Sequence, residues 1–315
     1  MNRVLVSTIL FLLAGSAGIS HAQSADAADG LVSTWMLVAV DKGVASSEPT
    51  RTGGARGVLI IDGAGNVFEY FSTNGREEPA APRNSPAWTL ANVGGFWGRY
   101  EVNETAGQIE FQSEDGVSPS VRGISFARNF ELNGDQLILT STDEPHAQGD
   151  TRWTWQRIPT IENLSPAYRE VVGFWRHIEE RRVDVATGEV QNSNLRAPSV
   201  IVYTPGGFVG VHFPTVGRQN FTDEELNAEE IAAGIRGYLG YFGTLNVYPG
   251  EVAHNVLSGV SPTTGSILRR FAAITGDELL VTLGGGGANA DTNRPQTVTE
   301  VVLHRLSGAD DMLPR

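Results

Sequence analysis

The chain has 315 residues, a formal net charge of −13 and 40% hydrophobic residues. This length allows two domains of ordinary size, and the hydrophobic content is normal for packed cores. The acidic balance argues against nucleic acid or an anionic membrane as a partner, because either would need a basic face. The sequence has no cysteine, which excludes disulfides, thiolate nucleophiles and cysteine-ligated metals.

Residues 1–22 have the pattern of a secretory signal peptide. Asn2-Arg3 is a short basic start, residues 4–13 are an apolar run, and small residues lead to Ser20-His21-Ala22, where cleavage is predicted. The apolar run is shorter than a bilayer-spanning helix requires. We therefore expect an exported protein, periplasmic or secreted, with no transmembrane segment in the mature chain.

An internal repeat divides the rest of the chain. Trp35 and Trp175 each open a unit, and an apolar hairpin with a glycine-rich turn follows each of them. Further blocks match in the same order, so we predict a tandem duplication with copy one at 30–158 and copy two at 172–307. The matching blocks are 57–68 with 199–210, 96–102 with 241–247, 117–119 with 260–262, 133–137 with 275–279 and 155–157 with 303–305.

Each copy predicts about eight strands with closely spaced turns, which is typical of a closed barrel or a sandwich. A closed barrel is favoured because an open sheet of this size would expose long edges. The predicted fold class is therefore all-β, with two tandem eight-stranded antiparallel barrels. The exception is the stretch 221–234, where Thr222 and Glu225 have capping-box spacing and predict a short helical lid on the second barrel.

The blocks of copy two resemble the bacterial and fungal lipocalin-like domain family. The likeness covers most of 172–306 and, more weakly, 31–158. It is carried by Gly173-Phe174-Trp175, the glycine-turn hairpin, Tyr241-Phe242-Gly243, His254, Arg270 and Gly276-Asp277-Glu278-Leu279.

This resemblance implies calycin-type barrels around an apolar cavity for small hydrophobic molecules. The family contains plain binders and cofactor-free cyclases or isomerases, so the fold does not choose between these activities. Copy one departs from the pattern, with Ser33-Thr34 in place of Gly173-Phe174 and Phe111 in place of His254.

Four of the five histidines beyond the signal lie in copy two, each on a different predicted strand: His177, His212, His254 and His304. Alternation along the strands predicts that His177, His254 and His304 face inward together with Glu300, and it leaves His212 undecided. One hypothesis is that these groups, with Arg270, act as general acid and base or bind a metal. The alternative is that two or more of them are ordinary surface histidines. Because His-x-His and His-Glu-x-x-His spacings are lacking, no metal and no cofactor is predicted.

Arg270 is the arginine most suited to a ligand. Facing inward, it could hold a ligand carboxylate or carbonyl in a bidentate contact, or close a salt bridge to an acid at a strand end. The other candidate ligand-binding residues could donate hydroxyl groups or simply fill volume, and the tryptophan among them is expected to plug the barrel. These residues are Tyr203, Tyr238, Tyr241, Trp175 and His212.

The favoured hypothesis is an exported protein that binds a small hydrophobic or amphipathic molecule in the barrel of copy two. An alternative is a cofactor-free isomerase, cyclase or lyase that acts on an apolar small molecule through His, Glu and Tyr acid–base groups, with Arg270 stabilising charge. A third hypothesis gives copy one a structural or dimerisation role.

Overall fold

The computed structural model describes residues 28–43, 50–52, 54–73, 86, 89, 92–141, 150–194, 197–218, 228–260, 264–283 and 297–306. The predicted signal peptide lies outside these residues, and so does the stretch 221–227, where the predicted lid helix begins. No helix within the described ranges has the length and apolar character needed to cross a bilayer.

Strands between 33 and 158 form the first barrel. Neighbouring strands are antiparallel, and the first strand also pairs with the last, which closes the sheet. One short strand lies beside the far half of the first strand, outside the closed ring. The strands are β1 (Ser33–Lys42), β2 (Thr50–Thr52), β3 (Arg56–Ile61), β4 (Asn66–Ser72), β5 (Val93–Asn103), β6 (Gln108–Gly116), β7 (Ser125–Asn133), β8 (Gln136–Ser141) and β9 (Thr151–Ile158), with a 3-10 turn at Pro119–Val121.

Strands between 173 and 305 repeat this topology, and the first and last strands again close the ring. The predicted fold class is confirmed, since each copy is an eight-stranded antiparallel barrel with one short additional strand. The strands are β10 (Gly173–Asp184), β11 (Val190–Asn194), β12 (Val200–Tyr203), β13 (Phe208–Pro214), β14 (Tyr238–Tyr248), β15 (Glu251–Gly259), β16 (Ile267–Thr275), β17 (Glu278–Leu283) and β18 (Thr297–Arg305).

Two short helices accompany the second barrel, α1 (Pro166–Val171) before it and α2 (Ala228–Arg236) between β13 and β14. Helix α1 begins where its sequence predicts, because the Ser165 hydroxyl accepts a hydrogen bond from the Tyr168 amide and Pro166 occupies the first turn. Helix α2 belongs to the stretch predicted as a lid. Its Gly234 carbonyl accepts a hydrogen bond from Arg218 at 2.7 Å.

A buried tryptophan closes one end of each barrel. The Trp175 indole donates to the Val171 carbonyl of α1 at 2.7 Å, and the Arg305 guanidinium lies 4.0 Å from the centre of its ring. In the first barrel Trp35 donates to the Leu31 carbonyl at 3.0 Å, and Arg157 lies 4.2 Å from its ring. The two copies therefore share one end closure, a Trp plug held between a main-chain carbonyl and an arginine.

The outer faces of the two barrels pack against each other. Strands β3 and β12 are apolar on both faces, because one face fills a barrel and the other is buried between the barrels. This inter-barrel face consists of Val58, Ile60, Phe68, Tyr70, Val93, Trp97, Val117, Phe174, Val200, Val202, Tyr238 and Phe242. The two copies are thereby joined through a hydrophobic cluster of their own.

A buried ion pair lies beside this apolar contact. Arg218 of the second copy donates to the Asp115 carboxylate of the first copy at 3.2 Å and to the Gly116 carbonyl at 2.7 Å. Arg122 donates to the other carboxylate oxygen at 2.8 Å. Both Arg218 and Asp115 have fully buried side chains, so the pair gains from a low-dielectric surrounding and costs much to break.

Replacing Arg218 by methionine should therefore destabilise the protein by about 3 kcal/mol or more, as removal of one partner from a buried pair does. The control is Arg269→Met, because Arg269 is 62% exposed in its ion pair with Glu251 and should cost less than about 1 kcal/mol. Urea unfolding measures both variants. Equal losses of stability would contradict a special role for the inter-barrel pair.

Candidate functional site

The interior of the second barrel is apolar apart from a few side chains. The apolar lining includes Trp175, Ile201, Val209, Val211, Leu245, Val252, Val256, Leu279, Val281, Val301 and Leu303. Tyr203, Tyr241 and His254 are buried within this lining, and Arg270 and His177 lie on the inner faces of β16 and β10. An apolar interior with a few convergent polar groups is typical of small-molecule sites.

His254 lies between two tyrosines. Its Nε2 is 3.1 Å from the Tyr203 hydroxyl and its Nδ1 is 2.7 Å from the Tyr241 hydroxyl. Burial, assisted by the nearby positive charge of Arg270, lowers the pKa of His254 to about 3. The imidazole of this Tyr–His–Tyr cluster is therefore neutral at neutral pH.

One hydrogen-bond donor of the Tyr–His–Tyr cluster is not used by the contacts within the cluster. A neutral imidazole has one N–H and one bare nitrogen, so the two contacts use the N–H and one phenol hydrogen. The other phenol hydrogen is left, whichever tautomer is present. Within the described part of the chain neither hydroxyl has a second partner. The cluster thus offers one O–H group to the barrel interior.

Arg270 is half-buried on β16, on the same face as Leu268 and Ala272. Its Nη1 donates to the Arg269 carbonyl at 2.9 Å. Among the described residues it forms no ion pair. Its charge acts to lower the pKa of His254 and of both cluster tyrosines, although burial raises the pKa of each tyrosine overall.

His177 lies two residues after Trp175 on β10 and is buried on the inner face. Its ring contacts Phe213, with the ring centres 5.3 Å apart. His177, His254 and Arg270 are the members of the hypothetical acid–base group that share the interior of the second barrel.

Glu300 and His304 lie on the other face of their strand. Val301 and Leu303 belong to the interior cluster, while His304 is exposed and Glu300 is half-exposed. The prediction that Glu300 and His304 face inward is wrong by one residue of strand phase. Val302, which shares a face with Glu300 and His304, is apolar but is buried on the outer face, and this explains the error.

His212 and Tyr238 lie between the barrels and do not line the interior where ligand binding was predicted. His212 Nδ1 contacts the Tyr238 hydroxyl, and its Nε2 is 3.0 Å from the Glu69 carbonyl of the first barrel. The rings of Phe68 and Tyr70 pack on the imidazole. Both side chains therefore belong to the inter-barrel face.

Across the described ranges there is no group of three or more His, Asp or Glu side chains placed to hold an ion.

The strand registers allow inner positions of one barrel to be matched with positions in the other among the described residues. Where the second barrel has Tyr203, Tyr241 and His254, the first has Ile61, Phe96 and Phe111. Arg128 of the first barrel corresponds to Arg270, since each lies two residues along β7 or β16 from the partner of Phe111 or His254.

Arg128 has a carboxylate partner inside its barrel. Its Nη1 and Nη2 both contact Glu69, the latter at 3.1 Å, and both side chains are 1% exposed. Glu69 corresponds to Val211, because Glu69 pairs with Phe96 and Val211 pairs with Tyr241. Neither member of this acid-to-valine exchange was among the predicted site residues. A lone acid within the apolar run 67–71 was the signal that could have pointed to it.

The first barrel is also filled by larger side chains. Trp153, Trp155, Phe126 and Phe130 occupy the positions of Val301, Leu303, Leu268 and Ala272 in the second barrel. Where the second barrel has the larger residue, as with Tyr203 in place of Ile61, the difference in side-chain size is smaller. The same ring of eight strands therefore encloses more side-chain volume in the first barrel than in the second.

The buried histidines make stability depend on pH. Burial lowers the pKa of both His212 and His254 from 6.5 to about 3. Between these values the unfolded chain binds protons that the folded chain does not, so the free energy of unfolding falls as the pH falls, by about 1.4 kcal/mol per pH unit for each histidine.

Replacing His254 by glutamine should flatten this dependence by about one histidine's share, measured by urea unfolding between about pH 7 and pH 5. His304→Gln is the matched control, because it removes a histidine that is exposed on the outer surface rather than buried. Identical slopes in the wild type and His254→Gln would contradict the assignment of a neutral, buried His254.

Comparisons with known proteins find a family match in the second copy. The model of the lipocalin-like domain family matches residues 173–306. A search of curated proteins finds no significant match. Among solved structures, the chain is similar to a protein of unknown function from the DUF3598 family of Nostoc punctiforme, with 12% identity, 88% of this chain and 97% of that chain covered, and a TM-score of 0.22. The resemblance predicted from the motifs of copy two is confirmed, because residues 173–306 are similar to the lipocalin-like domain family.

Proposed function

We propose that this protein is an exported binder of a small hydrophobic or amphipathic molecule, which enters the second barrel. The observation that carries the proposal is the exchange of bulky interior residues for small ones. Trp153, Trp155 and Phe130 of the first barrel correspond to Val301, Leu303 and Ala272 of the second. An eight-stranded barrel either fills with side chains or holds one small ligand, and the smaller residues favour a ligand in the second barrel.

The polar groups of the second barrel suit recognition better than acid–base chemistry. Both nitrogens of His254 contact tyrosine hydroxyls, and its pKa of about 3 makes it a weak base. Glu300 and His304, which the enzymatic hypothesis requires, lie on the outer face. Around His254 the interior offers hydrogen-bond donors within an apolar lining, as in a binding site.

In this proposal the first barrel is a structural support for the second. Its interior is filled by aromatic side chains and a paired arginine, and its outer face covers the apolar outer face of the second barrel. Export rests on the signal-like pattern of residues 1–22.

Filling the second barrel as the first is filled should weaken ligand binding. Ala272→Phe introduces the residue that the first barrel has at this position, Phe130, and should weaken binding of the neutral fluorophore N-phenyl-1-naphthylamine by about 10-fold or more, because the ring takes the ligand's volume. Fluorescence titration measures the affinity.

Ala273→Phe is the matched control, since its side chain lies on the exposed outer face of the same strand and should leave the affinity unchanged. If the fluorophore binds both variants as it binds the wild type, the ligand site is not in the second barrel. A fluorophore that does not bind the wild type contradicts the proposed function itself.

A further inference from the structure

The ion pair inside the first barrel indicates what the second barrel binds. Glu69 and Arg128 are 1% exposed, and the Glu69 carboxylate is paired with both Nη1 and Nη2 of Arg128. The Arg128 guanidinium lies 4.3 Å from the centre of the Trp153 ring. A carboxylate held by an arginine and enclosed by aromatic rings is a stable occupant of this interior, because each charge has its partner.

The second barrel keeps the arginine and has a valine where the first barrel has Glu69. Arg270 stands at the position of Arg128, while Val211 stands at the position of Glu69. Among the described residues Arg270 has one hydrogen bond, to the Arg269 carbonyl, and no carboxylate partner. A guanidinium on an apolar inner face favours a counter-charge, and a half-buried one is open to a charge that arrives from solution.

A second donor accompanies Arg270. The Tyr–His–Tyr cluster has one phenol hydrogen that its internal contacts do not use. Arg270 pairs with Val252, which lies two residues from His254 on the inner face of β15, so the hydroxyl and the guanidinium act on the same region of the interior. A carboxylate has two oxygens and can accept from both donors at once.

We propose that the second barrel binds an amphipathic molecule with one carboxylate, whose headgroup takes the place that the Glu69 carboxylate takes in the first barrel. The guanidinium of Arg270 and the spare hydroxyl of the Tyr–His–Tyr cluster hold the headgroup, and the apolar lining holds the tail. This inference rests on the proposed function and specifies the class of its ligand.

The test compares dodecanoate with dodecanol, which share a tail and differ in the headgroup charge. Competition with N-phenyl-1-naphthylamine gives both affinities. The wild type should bind dodecanoate about 10-fold or more tightly than dodecanol, as expected for a charge-assisted pair over a neutral contact. Arg270→Gln should remove this preference by weakening dodecanoate alone. Arg269→Gln, one residue away on the outer face, should retain it.

A gain of charge tests the same geometry from the other side. Val211→Glu supplies the acid of the first barrel to Arg270 and should compete with dodecanoate, lowering its affinity about 10-fold or more while dodecanol still binds. Val211→Gln has nearly the same shape without the charge and should keep the preference for dodecanoate. If Val211→Glu fails to fold, the Arg270→Gln and Arg269→Gln pair decides alone.

The outcomes separate the two proposals. If dodecanol binds as tightly as dodecanoate, or if Arg270→Gln weakens both equally, the barrel is a binder but the carboxylate inference is overturned. If neither amphiphile nor the fluorophore binds the wild type, the proposed function falls and the inference falls with it. A preference for dodecanoate that Arg270→Gln removes and Arg269→Gln keeps supports both.

Discussion

The interior of a closed eight-stranded barrel is the constraint on which this structure depends. Strand number and tilt fix the size of the enclosed space, which is just wide enough for side chains to fill or for one small molecule. Both barrels have the same ring of strands and the same Trp plug at one end. Their contents therefore decide what each can do, and the register allows those contents to be compared position by position.

The comparison shows two solutions to one problem of buried polarity. The first barrel encloses a full ion pair, in which the desolvation of Arg128 is offset by Glu69 and by the rings around it. The second barrel distributes its polarity differently. His254 stays neutral between two hydroxyls, and Arg270 remains partly in contact with solvent. The first arrangement is complete in itself, whereas the second leaves donors available.

The fold could be predicted from the sequence because its signals are local or repeated. The same signals occur in both copies: an opening tryptophan, glycine turns and collinear blocks. A prediction made for one copy can therefore be compared with the other. Alternation also predicts the inner face for His254. Val252 and Val256, two residues before and after it, are both apolar, whereas the other face of the strand includes the polar Asn255.

The site could be predicted only in part, since alternation fixes which residues share a face and not which face is inside. In β18 three apolar residues run consecutively, so the phase of Glu300 and His304 was ambiguous. Val302 is apolar although it faces outward. His212 and Tyr238 were ambiguous for a related reason, because their outer face is buried by the other barrel, a contact between distant parts of the chain that no single strand reveals.

The inter-barrel face also bears on how such a protein can change over generations. Strand β4 presents Phe68 and Tyr70 to the second barrel and Glu69 to the interior of its own barrel. One face of this strand is therefore constrained by the inter-barrel contact and the other by the barrel interior. Loss of the first copy would uncover Phe174 and Phe242, so the first barrel covers an apolar surface of the second whatever its own interior holds. Substitutions at the inner positions of the second copy can then change its interior without disturbing the contact between the copies.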